Sequence, residues 1–137
     1  MIEDTLSYHV LKLMKRTRPV IGPVLTEHGL HPGQEFLLSQ LWREDGLTQA
    51  ELVARLGVEA PTVTKAVQRL ERTGFVRREP GRRQRRVFLT DEGRALRRPV
   101  ERAWRQADRA VTRGLSDVQR TELADLLRRL TVGDLAG

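Results

Sequence analysis

A mostly α chain with a small β-hairpin is the fold class this sequence predicts, and three observations predict it. Apolar residues recur at helical spacing along most of the 137 residues. Hydroxyl-led helix starts and glycine stops punctuate that pattern, as at Thr48, Gly57, Gly74 and Ser116. The helical period gives way once, at Phe75–Glu79 and Arg86–Leu89, two short runs on either side of Pro80-Gly81.

Six helical segments follow in order. The first is expected over about Thr5–Leu25, with Leu6, Val10, Leu13, Met14, Ile21 and Leu25 at helical spacing and Gly29 as its end. Pro19 and Pro23 fall inside it, which predicts a kink or a break. The second opens at Pro32 and carries Phe36, Leu37, Leu38 and Leu41 on an apolar side, before the Asp45-Gly46 turn. Thr48-Gln49-Ala50-Glu51 is a capping box for the third, whose Leu52, Val53 and Leu56 face inward until Gly57 stops it. The fourth runs over about Ala60–Thr73, with Pro61 in its first turn and Val63, Val67 and Leu70 as one stripe. After the hairpin, Thr90 caps a fifth helix of about Asp91–Arg113. It is lined by Leu96, Val100, Ala103, Trp104, Ala107 and Val111, and Pro99 predicts a kink early in it. Ser116-Asp117-Val118-Gln119 is a second capping box, and Leu123, Leu126, Leu127 and Leu130 share one face of the last helix. A frayed tail is expected after Thr131.

Composition narrows the function classes. The balance of 39% hydrophobic and 31% charged residues is that of a soluble globular chain. There is no cysteine, which removes disulfides, thiol nucleophiles and thiolate metal sites. No apolar run approaches the roughly 20 residues of a membrane helix, and MIEDTLSYHV has no secretory pattern, so a cytoplasmic protein without membrane partners is expected. His9, His28 and His31 match no zinc spacing, and Ser7, Ser39 and Ser116 lie in no nucleophile motif. Asp45 and Asp91-Glu92 sit in turns and caps rather than in a metal-holding cluster. We therefore expect no metal, no cofactor and no enzyme activity. Lys and Arg outnumber Asp and Glu by 25 to 18, which favours a polyanionic partner, although an Arg-rich composition alone gives the same excess.

Where the charge sits says more. Two short helices joined by a tight glycine turn, followed by a hairpin, make a winged helix-turn-helix over Thr48–Leu89. Opposite its apolar stripe, the second helix shows Pro61, Thr62, Thr64, Lys65, Gln68 and Arg69. Hydroxyls, an amide and long cations suit the patterned donors and acceptors of the major groove. Gln49 is expected to hold a phosphate at the start of its helix. Arg77, Arg78, Arg82, Arg83, Arg85 and Arg86 crowd the hairpin, opposed there only by Glu79. Arg82, Arg83 and Arg85 are expected to serve the wing on phosphates or in the minor groove. The same cluster also suits a plain solvated loop.

LTQAELVARLGVEAPTVTKAVQRLERTGFVRRE, with RRVFLTDEG after it and LHPGQEFLLSQL before it, resembles the DNA-binding core of the MarR family of winged helix-turn-helix transcriptional regulators. The resemblance covers nearly the whole chain. It implies a single unit over residues 1–137, with a DNA-binding lobe at 30–90 and dimerisation helices at 1–29 and 91–137. It implies a homodimer on a pseudo-palindromic double-stranded operator, a repressor, and release by a small aromatic or phenolic ligand. The exposed stripes of the first and last helices suit a two-fold contact, or packing on the fifth helix within one subunit. Tyr8, Lys12 and Arg16 share one helix face, and Phe36 and Gln40 another. These five are the effector-site candidates, and they equally suit a surface face and a core contact. The chain departs from the family at Gly81, where an Asp ordinarily braces a wing Arg, and at Pro19, Pro23 and Pro99. A protein-docking module, or a general DNA-coating module without an effector, is the alternative.

Overall fold

The computed structural model describes residues 1–80 and 85–131. After one turn at Ile2–Asp4, the order is α1 (Leu6–Glu27), α2 (Gln34–Arg43), β1 (Leu47–Thr48), α3 (Gln49–Leu56), α4 (Ala60–Arg72), β2 (Val76–Glu79), β3 (Arg86–Leu89), α5 (Asp91–Ala95), α6 (Arg97–Val111) and α7 (Asp117–Thr131). The tail after Thr131 and the turn at Gly81, with Arg82 and Arg83, lie outside the described residues.

The local signals for helix starts hold. The Thr48 hydroxyl accepts from Glu51 N at 3.1 Å and donates to the Glu51 carboxylate at 3.1 Å. The Thr90 hydroxyl accepts from Gly93 N at 3.1 Å. At Ser116 the box is reciprocal: Gln119 N donates to Ser116 Oγ, and Ser116 N donates to Gln119 Oε1. Each such cap satisfies an orphan donor of a first turn, and its loss costs about 1 kcal/mol.

The prolines act differently from expectation in α1. The helix runs unbroken through Pro19 and Pro23. Both rings lie on exposed positions, where water can satisfy the carbonyls they leave without a donor, while the other side of α1 packs along α6. Pro99 does interrupt the fifth predicted helix. Lacking an N–H, it cannot bond the Ala95 carbonyl, and the chain divides at Leu96 into α5 and α6. The start of α2 is also displaced, from Pro32 to Gln34. Gly33 takes a left-handed φ of 99° that ends any earlier turn, and α2 supplies its own cap, with Gln34 Oε1 accepting from His31 N and Glu35 Oε1 from Gly33 N.

The hairpin belongs to a three-stranded antiparallel sheet ordered β1-β3-β2. Val76 pairs with Leu89 and Arg78 with Val87, while Leu47 and Thr48 of β1 pair with Val87 and Arg86. Asp45 ties the third strand down by accepting from Leu89 N at 2.9 Å through Oδ1.

One core runs beneath these elements. Leu25, Leu38, Leu41, Leu47, Leu52, Val63, Val67, Leu70, Val76 and Val87 are all less than 2% exposed or close to it. Burying each such side chain is worth about 1.5–3 kcal/mol, so α4 is anchored by three of them on its inner stripe. By contrast, α7 has no buried residue, and Leu126 and Leu130 stand 55% and 78% exposed. Leu6, Val10, Leu11 and Met14 of α1 are exposed as well.

Candidate nucleic-acid interface

The short link between α3 and α4 depends on Gly57, whose φ of 65° lets its N–H reach Val53 O at 3.0 Å and turn the chain at once. Burial of Val63, Val67 and Leu70 then fixes which side of α4 faces out. Thr62, Lys65, Gln68 and Arg69 are all exposed, on adjoining rows one turn apart. Among the described residues, no ion pair involves Lys65 or Arg69. The exposed middle of α4 therefore carries hydroxyl, amide and cationic groups with no carboxylate among them.

Thr64 is set apart from this row. It is half-buried at the junction of α3 and α4, where its hydroxyl accepts from Gln49 Nε2 at 3.1 Å and donates to Ala60 O at 3.1 Å. Gln49, expected only as a phosphate holder, is thus tied across to α4 as well. Sequence spacing could not show a bond between residues fifteen apart on two helices. Gln49, Ala50, Val53, Ala60 and Thr64 wall a groove of about 420 Å³, and Arg85 closes it from the wing side.

The wing arginines divide by role. Arg78 forks onto Glu71 of α4, with Nε to Oε2 at 3.2 Å and a terminal nitrogen to Oε1 at 2.9 Å. That bond holds the Glu71 carboxyl below its ordinary pKa and raises that of Arg78, against a smaller opposing effect of burial on each. Arg77 pairs with Glu79 and lies 4.9 Å from the centre of the Phe88 ring. Arg86 donates to Gly46 O at 2.8 Å. The cluster is therefore opposed by Glu71 as well as Glu79, and three of its arginines hold the lobe together. Arg85 is exposed and points into the α3–α4 groove, so it is the described wing cation best placed for a phosphate.

A helix-turn-helix on a three-stranded sheet, framed by long helices, has direct counterparts. A model described as the MarR family matches residues 28–87. The MarR transcriptional regulator of Methanosarcina mazei Go1 superposes with a TM-score of 0.84 at 28% identity, covering 91% of this chain and 86% of that one. Over the helix-turn-helix and its sheet the chain is similar to the MarR family. A second MarR family protein, from Mycobacterium tuberculosis and solved in complex with DNA, superposes with a TM-score of 0.76 at 28% identity over 93% of this chain and 98% of its own. The HTH-type transcriptional regulator TtmR of Methylorubrum extorquens is 42% identical over 76 residues, which are 53% of this chain and 39% of that regulator's length. Relatives and fold alike are those of transcriptional regulators, not of enzymes. Among the described residues no group of acidic, histidine or cysteine side chains could hold a metal ion, and no helix is long and apolar enough to cross a membrane.

The effector-site candidates of this chain fall in two places. Phe36 and Gln40 line a cavity of about 420 Å³ shared by α2, α3 and α4, together with Leu56, Thr62 and Val63. Phe36 also meets the Trp104 ring edge-on at 5.5 Å, and both border a second cavity of about 450 Å³ whose α1 wall is Met14, Thr17, Arg18, Ile21, Gly22 and Leu25. Tyr8, Lys12 and Arg16 are not among the lining residues of either. Lys12 instead sits 5.6 Å from the centre of the Tyr8 ring on the outer half of α1.

Proposed function

We propose that this chain is a cytoplasmic, homodimeric transcriptional regulator that binds a pseudo-palindromic double-stranded operator and acts as a repressor. The observation that carries this reading is the exposed row of Thr62, Lys65, Gln68 and Arg69 on a helix whose other side is locked into the core. In it, α4 enters the major groove, where Lys65, Gln68 and Arg69 meet base edges and Thr62 a base edge or flanking phosphate. Arg85, together with Arg82 and Arg83, serves the wing on phosphates or the minor groove. Residues 30–90 form the DNA lobe, and residues 1–29 and 91–137 form the dimer contact. The exposed stripes of α1 and α7 support that contact, because they do not fold onto α6 within the subunit. Repression follows from a dimer occupying the promoter. A small aromatic or phenolic ligand is proposed to release it, seated by Phe36 and Gln40 in the cavity against α4, where occupancy bears directly on the recognition helix.

The test is selection of bound fragments from a random DNA pool, followed by affinity against salt. The expected result is an inverted repeat with half-sites about one turn, roughly 10 base pairs, apart and a steep salt slope. Uniform weak binding without a motif would overturn operator recognition and leave a general DNA coater. Calorimetry with a salicylate-like acid tests the ligand: heat and weakened operator affinity support it, and neither effect removes it.

A further inference from the structure

We propose that Gln49 is a specificity-determining residue that acts through Thr64, by fixing the hydrogen-bond polarity with which α4 meets the operator. The proposal rests on the DNA-binding reading above and adds to it which groups Thr64 can offer a base.

A threonine hydroxyl has one proton to donate and two lone pairs to accept with. In this structure the proton of Thr64 goes to Ala60 O, one turn back, and one lone pair takes the Gln49 Nε2–H, both at 3.1 Å. What remains for DNA is a single acceptor lone pair and the methyl group. Rotating the side chain about χ1 would break both bonds at once, so the two together lock one rotamer where either alone would hold it weakly; turning only the hydroxyl hydrogen outward gives up the bond to Ala60 O. The residue is half-buried in the groove between α3 and α4, which keeps water from competing fully for those bonds.

The consequence is chemical. In the major groove the amines of adenine and cytosine donate, thymine offers a methyl, and guanine offers only the acceptors O6 and N7 on its own edge. A Thr64 locked as an acceptor with a methyl can contact an adenine or cytosine amine or a thymine methyl. It donates to guanine only by giving up its bond to Ala60 O. Without Gln49, only the bond to Ala60 O holds the rotamer, and Thr64 is freer to turn about χ1 and present its O–H outward. Gln49 thereby excludes a base it need not touch, and its own second amide N–H remains available to a phosphate.

The experiment measures affinity for the selected operator and for operators carrying guanine at the base facing Thr64 in both half-sites, with that position assigned as the one whose preference Thr64→Val alters. Five proteins are compared: the native chain, Gln49→Met, Thr64→Val, the double variant and Thr64→Ser. Gln49→Met keeps length and helix propensity while removing the donor. It is expected to reduce the discrimination against guanine about tenfold or somewhat less, the scale of one hydrogen bond in base readout. In the Thr64→Val background it is expected to change discrimination no further, because the relay is already gone. Thr64→Ser, which keeps the hydroxyl and both bonds, is expected to retain most of the native discrimination. An equal loss of affinity for every operator in Gln49→Met would overturn the proposal and leave Gln49 as a phosphate contact. So would additive effects of the two substitutions. If the native chain selects no motif, the DNA-binding reading falls and takes this proposal with it, an outcome distinct from the other two.

Discussion

Glu71 of α4 and Arg78 of β2 form a two-point fork that bolts the recognition helix to the wing, with nitrogen-to-oxygen distances of 2.9 and 3.2 Å. Among the described residues it is the one ion pair joining these two elements. Arg78 is mostly buried and Glu71 partly exposed. Solvent therefore screens the pair, and its contribution to folding is about 0.2–1 kcal/mol. What the fork does geometrically is tie one point of α4 to one point of β2.

That fork has a pH signature. Arg78 holds the Glu71 carboxyl below its ordinary value of 4.5. A depressed carboxyl stabilises the native state above its unfolded pKa, and the stabilisation is lost as pH falls through the lower folded value. Urea unfolding from neutral pH to below 4.5 is expected to show an acid-side loss that is smaller in Glu71→Gln than in the native chain. Equal acid slopes would show that the pair does not feed the folding equilibrium.

Arg85 and Arg69 are expected to separate affinity from specificity. Arg85 is exposed in the groove beside Gln49, away from the outer row of α4. Arg85→Ala is therefore expected to weaken binding alike on all sequences and to lower the salt slope by about 1. Arg69→Ala is expected to cost about 1–3 kcal/mol on the selected operator and less on unrelated DNA, as a lost bidentate base contact does. Operator titrations at several salt concentrations check both.

Apolar surface on α1 and α7 predicts the oligomeric state. Leu126 and Leu130 are exposed on a helix that buries none of its residues, and Leu6, Val10, Leu11 and Met14 are exposed on α1. Single apolar residues on a surface are ordinary, but apolar stripes exposed on both terminal helices suit a contact between two copies. Leu126→Glu combined with Val10→Glu is expected to shift sedimentation equilibrium from dimer toward monomer and to leave the far-ultraviolet circular dichroism intact, since neither residue belongs to the core.

Much of this was legible in the sequence because the signals are local. A cap such as Thr48 or Ser116 works within one turn, and the stripe Val63–Val67–Leu70 defines its own buried face. What escaped depends on distant partners. β1 is two residues long and is a strand only because Val87 and Arg86 lie beside it. Pro19 and Pro23 leave α1 whole because their ring positions face solvent. The basic hairpin was visible as a cluster, but its division into holding and exposed arginines depends on where Glu71 and Gly46 come to rest. The site was likewise legible as a face and illegible as a bond: Thr64 belongs to the expected set, while its tie to Gln49 crosses two helices.

Gly93 carries the final prediction, and its role is steric. A Cβ added there would stand 2.1 Å from Phe75 O and 3.1 Å from its carbonyl carbon, both backbone atoms that cannot swing aside. The close approach joins the start of α5 to the strand leading into the wing, and it is pinned on one side by Thr90 N to Phe75 O at 3.1 Å. On the other side Trp42 of α2 donates its indole N–H to Gly93 O at 2.9 Å. Gly93→Ala must therefore push α5 off the sheet or strain the segment after α4, at about 1–3 kcal/mol, as overpacking of a filled site costs. Trp42→Phe removes the indole N–H together with part of the ring's packing, at about 1 kcal/mol or more, since the carbonyl it leaves is half-shielded. Urea denaturation of the two variants should rank them in that order. A Gly93→Ala protein as stable as the native chain would mean that the wing and α5 are not held as closely as this contact requires.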